Sequence, residues 1–586
     1  MQPTLFLLPV PGTMTAQLAA PPDPLNAKHR EETLARLTET TFDLLVIGAG
    51  ITGAAIARDA AMRGLSTLLV DKGDLACGTS SASSKLAHGG LRYLEQGRLG
   101  LVLESVSERN RLSRLAPHLV RPIPFVFPVY ERKPKPLWMV NLGLWIYDAM
   151  SMFRSYRLHS RHGSKATAEL EPALRREGLD GSIRYYDCIT DDARLTLENA
   201  RSAHLSGASV LTYCEVVSLN TRRARVSGAQ FRDRLSDQQH SVEARSVVNA
   251  TGPWTDRTLG LRGDRSRLLR PTKGVHVIVS RERLPVRHAV VLTSPDDRRV
   301  VFAVPWENEV MLGTTDTDFQ GDFDVVYTQA HDVEYLLELT NQFFPQARLR
   351  PEDIVGSYAG LRPLVSEEGD PSSVSREHAI REDEDGLITI AGGKLTTHRI
   401  MAAEVLDVVA EQFRREGTRI GGCHTGAVPL PGGSSIAFRD DRLVSEGLSL
   451  PHRFEEDCVA LLGEDVVEHL KQSYGGFWAD VAARTGAAEE LAQRIAPPLP
   501  YVWAELEYAV ENELCLRLSD FMRRRTQLEI RDFDAAMRLA PTICTKMAAM
   551  LGWNEQRARA ELKDFSDTAE ANMAWRADME TETIRA

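Results

Sequence analysis

A glycine-rich turn between two apolar segments, within residues 42–71, constrains the fold of this chain more than any other feature. The segment FDLLVIGAGITGAAIARDAAMRGLSTLLVD predicts a strand over residues 44–47, a turn, a helix that stops at Gly64, and a second strand over residues 67–70. Strand, turn, helix and strand in this order are typical of a βαβ unit with parallel strands. The helix pattern places three residues inside and three at the surface: Ile56, Ala60 and Met62 inside, and Arg58, Asp59 and Arg63 outside.

The glycines of this turn have the spacing of a dinucleotide-binding fingerprint. Gly48 suits the tight turn, Gly50 lets the backbone approach a pyrophosphate, and Gly53 lets the helix pack closely on the strand. Ile51 and Thr52 begin the helix, and free N–H groups at a helix N-terminus attract phosphates. The second strand ends at Asp71, followed by Lys72, where a carboxylate would accept the hydroxyl groups of an adenosine ribose and disfavour a 2′-phosphate.

Composition narrows the class of protein further. The chain has 586 residues, 43% of them hydrophobic, and a formal net charge of −11 without a long basic tract, so no nucleic-acid partner is expected. Its seven cysteines contain no CxxC pair, which predicts neither a disulfide framework nor a metal site and fits a reducing compartment. Residues 1–40 read as an extension with a short helix over residues 27–38, and their apolar start lacks the basic region of a signal peptide.

A second informative segment, GTSSASSKLAHGGLRYL over residues 78–94, is rich in small and hydroxyl side chains. Such a loop suits close contact with a flat polar ligand, whereas a solvated serine-rich linker is the alternative. The return to apolar sequence at GGLRYL favours the loop.

Together, GAGITGAAIARDAAMRG and GTSSASSKLAHGGLRYL resemble the FAD-dependent, quinone-linked glycerol-3-phosphate dehydrogenases, which are D-amino-acid-oxidase-like, glutathione-reductase-type flavoproteins. The resemblance runs from about residue 42 into the C-terminal region. It implies an α/β and α+β fold, in which a Rossmann-like FAD-binding domain is interleaved with an antiparallel-sheet substrate domain over residues 41–425. A helical cap domain is expected over residues 426–586.

The resemblance also implies which residues contact FAD. Asp191 or Asp192 caps a helix that Gly207 stops, VLTYCEVVSL follows as a strand, and the ATG motif ends a buried strand at Gly252. The cofactor-binding residues expected in this way are Gly48, Gly50, Ile51, Thr52, Gly53, Asp71, Lys72, Thr79, Ser80, Ser84, Lys85, Leu86, His88, Gly89, Gly90, Val216, Ala250, Thr251, Gly252, Gly393, Lys394, Leu395 and Thr396.

His276 lies in KGVHVIV, which alternates as a strand does and places His276 and Ile278 on one face. A structural role is the alternative for a lone histidine. The resemblance makes His276 a candidate acceptor of the substrate hydroxyl proton. The sequence predicts a hairpin that continues the same antiparallel sheet, with strands over residues 297–304 and 309–316.

Arg362 lies in GLRPL, and the resemblance directs it at the substrate. A guanidinium binds phosphate oxygens with two parallel hydrogen bonds and stays charged at any relevant pH. The candidate catalytic residues are Arg362, His276, Lys394 and Arg92, and the sequence leaves open which basic residue accepts the proton. The candidate substrate-binding residues are Arg92, Tyr93, Arg362, Arg376, Lys394 and Thr425.

The implied reaction is oxidation of sn-glycerol 3-phosphate to dihydroxyacetone phosphate, with electrons passed to a membrane quinone. Residues 137–150 are strongly apolar but too short to span a bilayer, so they form either a membrane-surface helix or a core helix. The basic residues Arg121, Arg132, Lys133 and Lys135 precede them, and Trp138, Trp145 and Tyr147 are interfacial types. The two interpretations are balanced on the residues alone, and the resemblance to a family that is peripheral to membranes favours the surface helix. It implies a location in the cytoplasm, at the inner face of the cell membrane, with a homodimer left open.

Three other functions share these motifs: a glycerophosphate oxidase that uses oxygen, an amino-acid-oxidase-like flavoenzyme, and a non-catalytic FAD-binding protein. Beyond a Gly- and Pro-rich boundary over residues 417–435, helical spacing recurs and residues 567–586 are expected to fray. The helices are expected over residues 455–471, 477–484, 487–495, 503–524, 532–550 and 553–565.

Overall fold

A computed structural model shows a mixed α/β molecule with two large sheets and a helical C-terminal region. It describes residues 24–95, 97–131, 136–152, 155–297, 299–366 and 378–585, with the backbone alone for Arg92, Glu95 and residues 581–585. The strands are β1 (Thr41–Ile47), β2 (Thr67–Val70), β3 (Leu86–Ala87), β4 (Val120–Tyr130), β5 (Ser160–Gly163), β6 (Leu179–Thr190), β7 (Ser209–Leu211), β8 (Cys214–Arg222), β9 (Arg225–Asp233), β10 (Gln239–Asn249), β11 (Leu269–Ser280), β12 (Ala289–Thr293), β13 (Val300–Trp306), β14 (Glu309–Gly313), β15 (Thr317–Asp318), β16 (Ile354–Val365), β17 (His378–Glu382), β18 (Ile388–Gly392), β19 (Ile436–Arg439) and β20 (Arg442–Ser445).

The α-helices are α1 (Ala27–Arg36), α2 (Ile51–Met62), α3 (Leu91–Glu95), α4 (Leu99–Leu115), α5 (Leu137–Met150), α6 (Ser164–Leu170), α7 (Asp192–Leu205), α8 (Thr255–Gly260), α9 (Ala330–Phe343), α10 (His398–Arg415), α11 (Phe454–Leu462), α12 (Glu464–Tyr474), α13 (Trp478–Arg484), α14 (Trp503–Asn512), α15 (Leu518–Asp520), α16 (Leu528–Arg531), α17 (Phe533–Leu551), α18 (Glu555–Met573) and α19 (Trp575–Arg585).

The first sheet is the predicted Rossmann-like unit. Its strands lie in the order β17-β18-β10-β1-β2-β7, and the neighbours from β18 to β7 are parallel. The first strand in sequence is central, so the strand order reverses beside β1, and ligands of such sheets bind outside the carboxyl ends of the strands at that point. The apolar side chains of β1 divide between the two faces, which explains why the strand is almost wholly apolar.

Helices α2, α7 and α10 cover one face of this sheet, and strands β8 and β9, of which β9 pairs antiparallel with the first half of β10, cover the other. The prediction that Arg58, Asp59 and Arg63 lie at the surface is wrong, since all three are buried. Arg58 Nε donates to Ser202 Oγ of α7 at 2.9 Å, and Arg63 forms ion pairs with Asp59 and with Asp407 of α10. The polar side of α2 is thus covered by its neighbouring helices rather than by water.

The second sheet has the order β15-β11-β14-β13-β12-β4-β6-β3, with β16 paired to β11. It is antiparallel apart from the pairing of β12 with β4. The predicted alternation along β11 is confirmed, since Ile278 packs on one face of the sheet while Val275, Val277 and Val279 pack on the other. Across the pair of β11 and β16, His276 lies opposite Tyr358.

The C-terminal region is mainly helical, as expected, with a short hairpin formed by β19 and β20. The prediction of frayed residues 567–586 is wrong for the described part, because α18 continues to Met573 and Trp575 of α19 is only 1% exposed against the second sheet. The single strand expected from VLTYCEVVSL is also wrong. It breaks into β7 and β8 at Tyr213, which has a positive φ of 61°.

Candidate functional site

A cavity of about 510 Å³ opens along the carboxyl ends of the parallel strands and continues beneath the second sheet. It extends from the region of Asp71 and Val216 to that of His276, Arg362 and Lys394. The predicted residues that line it are Gly48, Gly50, Ile51, Thr52, Asp71, Lys72, Thr79, Ser80, Ser84, Leu86, His88, Tyr93, Val216, Ala250, Thr251, Gly252, His276, Arg362, Gly393, Lys394, Leu395 and Thr396.

The glycine turn packs closely on the neighbouring backbone, at positions where a side chain would not fit. Gly48 has a φ of +105°, and a Cβ there would lie 2.6 Å from the carbonyl oxygen of Ala250. A Cβ on Gly53 would lie 1.8 Å from the carbonyl oxygen of Gly48, so this glycine brings the helix against the turn. Ser80 Oγ accepts a hydrogen bond from the N–H of Ile51 at 2.9 Å, which ties the serine-rich loop to the start of α2.

Asp71 lines the cavity and bonds to two backbone N–H groups beside it. Its carboxylate accepts hydrogen bonds from the N–H of Ala49 at 2.6 Å and from the N–H of Gly73 at 2.9 Å. Burial raises the pKa of Asp71, and these two N–H groups partly offset that effect. Beside it, Lys72 Nζ lies 4.0 Å from the ring centroid of Trp254.

Arg362 marks the opposite end, and neighbouring residues fix its guanidinium. Nη1 donates to Asp316 Oδ1 at 2.7 Å, and Nη2 donates to Thr314 Oγ1 at 2.9 Å. Gly274 lines the cavity beside them, where a Cβ would lie 2.7 Å from Arg362 Nη2. The side chain is 19% exposed, so the guanidinium is oriented by the protein yet open to the cavity.

The imidazole of His276 is buried in the wall of the cavity. Its ring stacks on Tyr358 with centroids 4.8 Å apart, and its Nε2 is 2.9 Å from Ser84 Oγ. Nδ1 is buried and has no hydrogen-bond partner among the described residues, so the hydrogen bonding of the ring is through Nε2. Burial, together with the positive charges of Arg362 and Lys85, holds the pKa of His276 well below its usual value.

Lys394 follows the diglycine after β18 and begins a short 3-10 turn over Leu395–Thr397 that leads into α10. Its Nζ lies 3.9 Å from the ring centroid of Tyr93 and 3.4 Å from Ser105 Oγ of α4. This end of the cavity is therefore in contact with α3 and α4.

Several predicted site residues lie away from the cavity lining. Lys85 Nζ is paired with Asp192 behind the wall, and Thr425 is buried beside Cys423. A Cβ on Gly89 or Gly90 would meet the rings of Tyr147 or Tyr93, so these glycines, like Gly53, serve packing. Arg376 lies outside the described residues. Arg92 is in α3, but its side chain is not described.

Four residues of the site were missing from the sequence prediction. Trp254 and Arg257 line the cavity directly after the ATG motif, with Trp254 beside Lys72, and an aromatic residue after a strand-ending glycine was the available signal. Thr314 and Asp316 orient Arg362, and the hydroxyl and carboxylate groups that follow a buried strand in GTTDTD could have indicated them. Within the described ranges, no group of three or more His, Cys, Asp or Glu residues is placed to hold a metal ion.

Two family models match the chain. The model described as FAD dependent oxidoreductase matches residues 43–428, and the model described as the C-terminal domain of alpha-glycerophosphate oxidase matches residues 423–558. Together they extend from the start of β1 into α18.

Curated proteins and solved structures resemble the chain over most of its length. It is 38% identical over 560 residues to a glycerol-3-phosphate dehydrogenase 2 of Mycobacterium tuberculosis, covering 94% of this chain and 92% of that protein. It is 34% identical over 550 residues to an aerobic glycerol-3-phosphate dehydrogenase of Staphylococcus saprophyticus, covering 92% and 96%. A glycerol-3-phosphate dehydrogenase from Bacillus halodurans, solved in complex with FAD, matches with a TM-score of 0.76 and 32% identity, covering 94% of this chain and 98% of that one.

Proposed function

The chain belongs to the family of FAD-dependent glycerol-3-phosphate dehydrogenases, and from this membership we propose that it oxidises sn-glycerol 3-phosphate to dihydroxyacetone phosphate. The observation that carries the proposal is a single cavity with two different ends. A glycine turn and Asp71 form one end, and His276, Arg362 and Lys394 line the other. The cavity thus joins a nucleotide site to a cationic site for a small anion.

The residues present fit FAD. Gly48 and Gly50 line the cavity at the N-terminus of α2, where the helix dipole favours the negative charge of a pyrophosphate. Asp71 lines the cavity with a carboxylate suited to ribose hydroxyls, and Leu395 and Thr396 line it near the start of α10. When bound, FAD supplies the acceptor for a hydride from the substrate alcohol, a step that side chains alone do not perform.

Arg362 and Lys394 hold the substrate phosphate in this proposal, and Arg92 and Arg376 remain further candidates. Asp316 and Thr314 keep the guanidinium of Arg362 in one orientation, so little side-chain freedom is lost when phosphate binds. Two positive charges also attract a dianion into a protein whose net charge is −11. Holding the phosphate fixes the position of the neighbouring carbinol.

His276 accepts the hydroxyl proton in this proposal. Its lowered pKa keeps the imidazole neutral at pH 7, which is the form that a proton acceptor requires. Proton transfer would place two positive groups, His276 and Arg362, close together. The negative charge of the substrate phosphate offsets that cost, so the histidine becomes a better base once the substrate is bound.

We expect the purified protein to be yellow and to lose its flavin absorbance under anaerobic conditions when glycerol 3-phosphate is added. The absorbance is recorded before and after the addition, and glycerol serves as the matched compound without phosphate. Bleaching by glycerol 3-phosphate and not by glycerol supports the proposal. A yellow protein that no polyol phosphate bleaches is a flavin-binding protein without this activity.

The electron acceptor is proposed to be a membrane quinone. The C-terminal family model is named after an alpha-glycerophosphate oxidase, so oxygen is the alternative acceptor. Hydrogen peroxide formed in air at the rate of substrate oxidation would favour the oxidase. Slow peroxide formation, with fast turnover on a water-soluble quinone, would favour the dehydrogenase.

An exposed apolar face on α4 and α5 supports the membrane location. Leu144 and Tyr147 of α5 are buried, whereas Trp138, Leu142 and Trp145 are 59%, 53% and 50% exposed. On α4, which packs against α5, Leu99 and Leu103 are about half exposed. Scattered apolar residues are normal at a surface, but a group on adjoining helices marks an interaction site. Among the helices of the described residues, none has the length and apolar character to cross a bilayer.

We propose that this face, called the α4–α5 surface, rests on the inner leaflet of the cell membrane. The same helix α4 contacts Lys394 through Ser105, so a lipid-soluble quinone at this surface would be close to the substrate end of the cavity. The seven cysteines are all free, which supports a cytoplasmic location.

The triple variant Trp138→Ser, Leu142→Ser and Trp145→Ser is expected to bind anionic phospholipid vesicles at least about 10²-fold more weakly, because each side chain contributes about 1.5 to 3 kcal/mol when buried in an apolar phase. Vesicle sedimentation measures this. Activity with a water-soluble quinone should stay unchanged. Leu461→Ser removes an apolar side chain that is 59% exposed elsewhere, and is the control. Wild-type vesicle binding by the triple variant would contradict the assignment.

A further inference from the structure

Lys85 lies just behind the cavity wall, and from there it is linked to His276. Its Nζ is 2.7 Å from Asp192 Oδ1, and the two side chains are only 3% and 0% exposed. We infer that this buried pair is a positioning device for the reaction, which holds Ser83 and Ser84 in the place from which they contact His276 and its stacking partner. The inference rests on the proposed function, because it takes His276 as the proton acceptor.

The first step of the argument is the link from the ion pair to the turn. Asp192 Oδ2 accepts a hydrogen bond from Ser83 Oγ at 2.7 Å and another from the N–H of Ser83 at 3.0 Å. Ser83 Oγ in turn accepts from the N–H of Lys85 at 3.0 Å. Lys85 has a φ of +51°, a conformation that residues with a Cβ seldom adopt. These bonds, rather than the intrinsic preference of the backbone, therefore hold the turn.

The second step is the link from the turn to His276. Tyr358 donates a hydrogen bond from its hydroxyl to the carbonyl oxygen of Ser83 at 2.8 Å, and its ring stacks on His276 at an interplanar angle of 14°. Ser84 Oγ contacts His276 Nε2. Two adjacent serines thus position the imidazole. Ser83 acts on the ring face through Tyr358, and Ser84 contacts Nε2.

The third step distinguishes a role of Lys85 in positioning His276 from a role in folding alone. The charged groups that face His276 are Arg362 of β16 and Lys85 of the turn, while β14 contributes Gly313, which has no side chain. Lys85 Nζ also lies 5.7 Å from the ring centroid of Tyr358. Removing this positive charge makes protonation of His276 easier. The protonated histidine is inactive as a proton acceptor, so the acid limb of the rate profile should move to higher pH.

The test measures kcat, KM, FAD content and the pH dependence of kcat/KM in the holoenzyme. Lys85→Met is expected to lower kcat by roughly 10- to 100-fold, as a small misplacement of a reacting group does, and to move the acid limb to higher pH. Because Lys85→Met leaves Asp192 buried without its partner, Lys85→Met/Asp192→Asn is made in parallel as a neutral pair of similar size. Lys563→Met, at an exposed pair with Asp567, is the matched control and should leave activity unchanged.

Ser83→Ala decides the question even if the Lys85 variants fold poorly. It removes the hydrogen bond from Ser83 Oγ to Asp192 and the one that Ser83 Oγ accepts from the N–H of Lys85, and it keeps both charges. We therefore expect kcat to fall while the acid limb stays at its wild-type pH. In the double variant Ser83→Ala/His276→Gln, the loss should not exceed that of His276→Gln alone, because both changes act on the same proton transfer.

Additive losses in that double variant, or a wild-type kcat for Ser83→Ala, would overturn the inference. A failure of the proposed function would give a different result. In that case glycerol 3-phosphate would not bleach the flavin of the wild-type protein.

Discussion

Replacing Arg362 with alanine is expected to lower kcat/KM for glycerol 3-phosphate by about 10²- to 10³-fold, while the purified variant keeps its FAD. The guanidinium is held by Asp316 and Thr314 with one side open to the cavity, so its removal leaves the substrate phosphate without its oriented partner. The glycine turn, Asp71 and the N-terminus of α2 lie at the other end of the cavity and are unchanged. Steady-state kinetics and the flavin absorbance of the variant measure the two effects.

A substrate comparison distinguishes phosphate binding from a structural role of Arg362. The variant should lose most of its preference for glycerol 3-phosphate over glycerol, because the deleted group recognises the phosphate. Arg362→Lys keeps the charge without the planar fork and should recover only part of the activity. Arg283→Ala breaks a surface pair with Asp353 next to the same sheet and is the control. If Arg362→Ala loses its flavin, the residue has a different role from the one proposed here.

The elements that the sequence predicts well are those whose signal is local. The turn at Gly48, the strand β2 and the alternation around His276 each depend on neighbours within a few residues, and the structure confirms them. The cavity then follows from the parallel topology, because the carboxyl ends of adjacent strands meet at one edge of the sheet. For this reason most of the predicted FAD-contacting residues line one cavity.

Pairings between distant segments leave no such local signal. Lys85 and Asp192 are 107 positions apart, and nothing near either residue in the sequence indicates that they form a buried pair. Arg58 and Asp59 have the spacing of an exposed helix face, yet α7 and α10 cover them. A charged side chain is buried when a partner from elsewhere in the chain satisfies it, and the identity of that partner is a property of the fold.

The pairing with the largest expected effect joins the C-terminal region to the loop after β2. Asp74 is 1% exposed and accepts hydrogen bonds from Arg524 Nε at 2.6 Å and from Arg525 Nη1 at 2.8 Å. It lies between Asp71 and Cys77, both of which line the cavity. Asp74→Ala is therefore expected to destabilise the protein by about 3 to 5 kcal/mol, because two buried guanidinium groups lose the carboxylate that they share. Arg524 keeps its pair with Asp520, and Arg525 keeps its bond to the carbonyl oxygen of Glu513. At protein concentrations at which the wild type keeps its FAD, the variant should lose it.

The pH dependence provides a second measurement on the same residue. Burial alone would raise the pKa of Asp74, but the positive charges of Arg525 and Arg524 outweigh it and hold the pKa below its usual value. A carboxyl group with a lowered pKa contributes stability at neutral pH and loses it as the pH falls through the folded-state pKa, here below about pH 4. Asp74→Asn should lack this contribution at pH 7, so its stability deficit relative to the wild type should narrow as the pH approaches that range.

Urea unfolding followed by flavin and tryptophan fluorescence records both the stability and the release of FAD. Glu555→Ala breaks an exposed pair with Arg559 on α18 and should change the free energy of unfolding by no more than about 0.5 kcal/mol. Flavin release from Asp74→Ala at a urea concentration at which tryptophan fluorescence is still native would mean that the C-terminal region holds the cofactor loop in place. If Asp74→Ala retained FAD and unfolded as the wild type does, the ion pairs of Asp74 with Arg524 and Arg525 would contribute nothing to stability or to FAD binding.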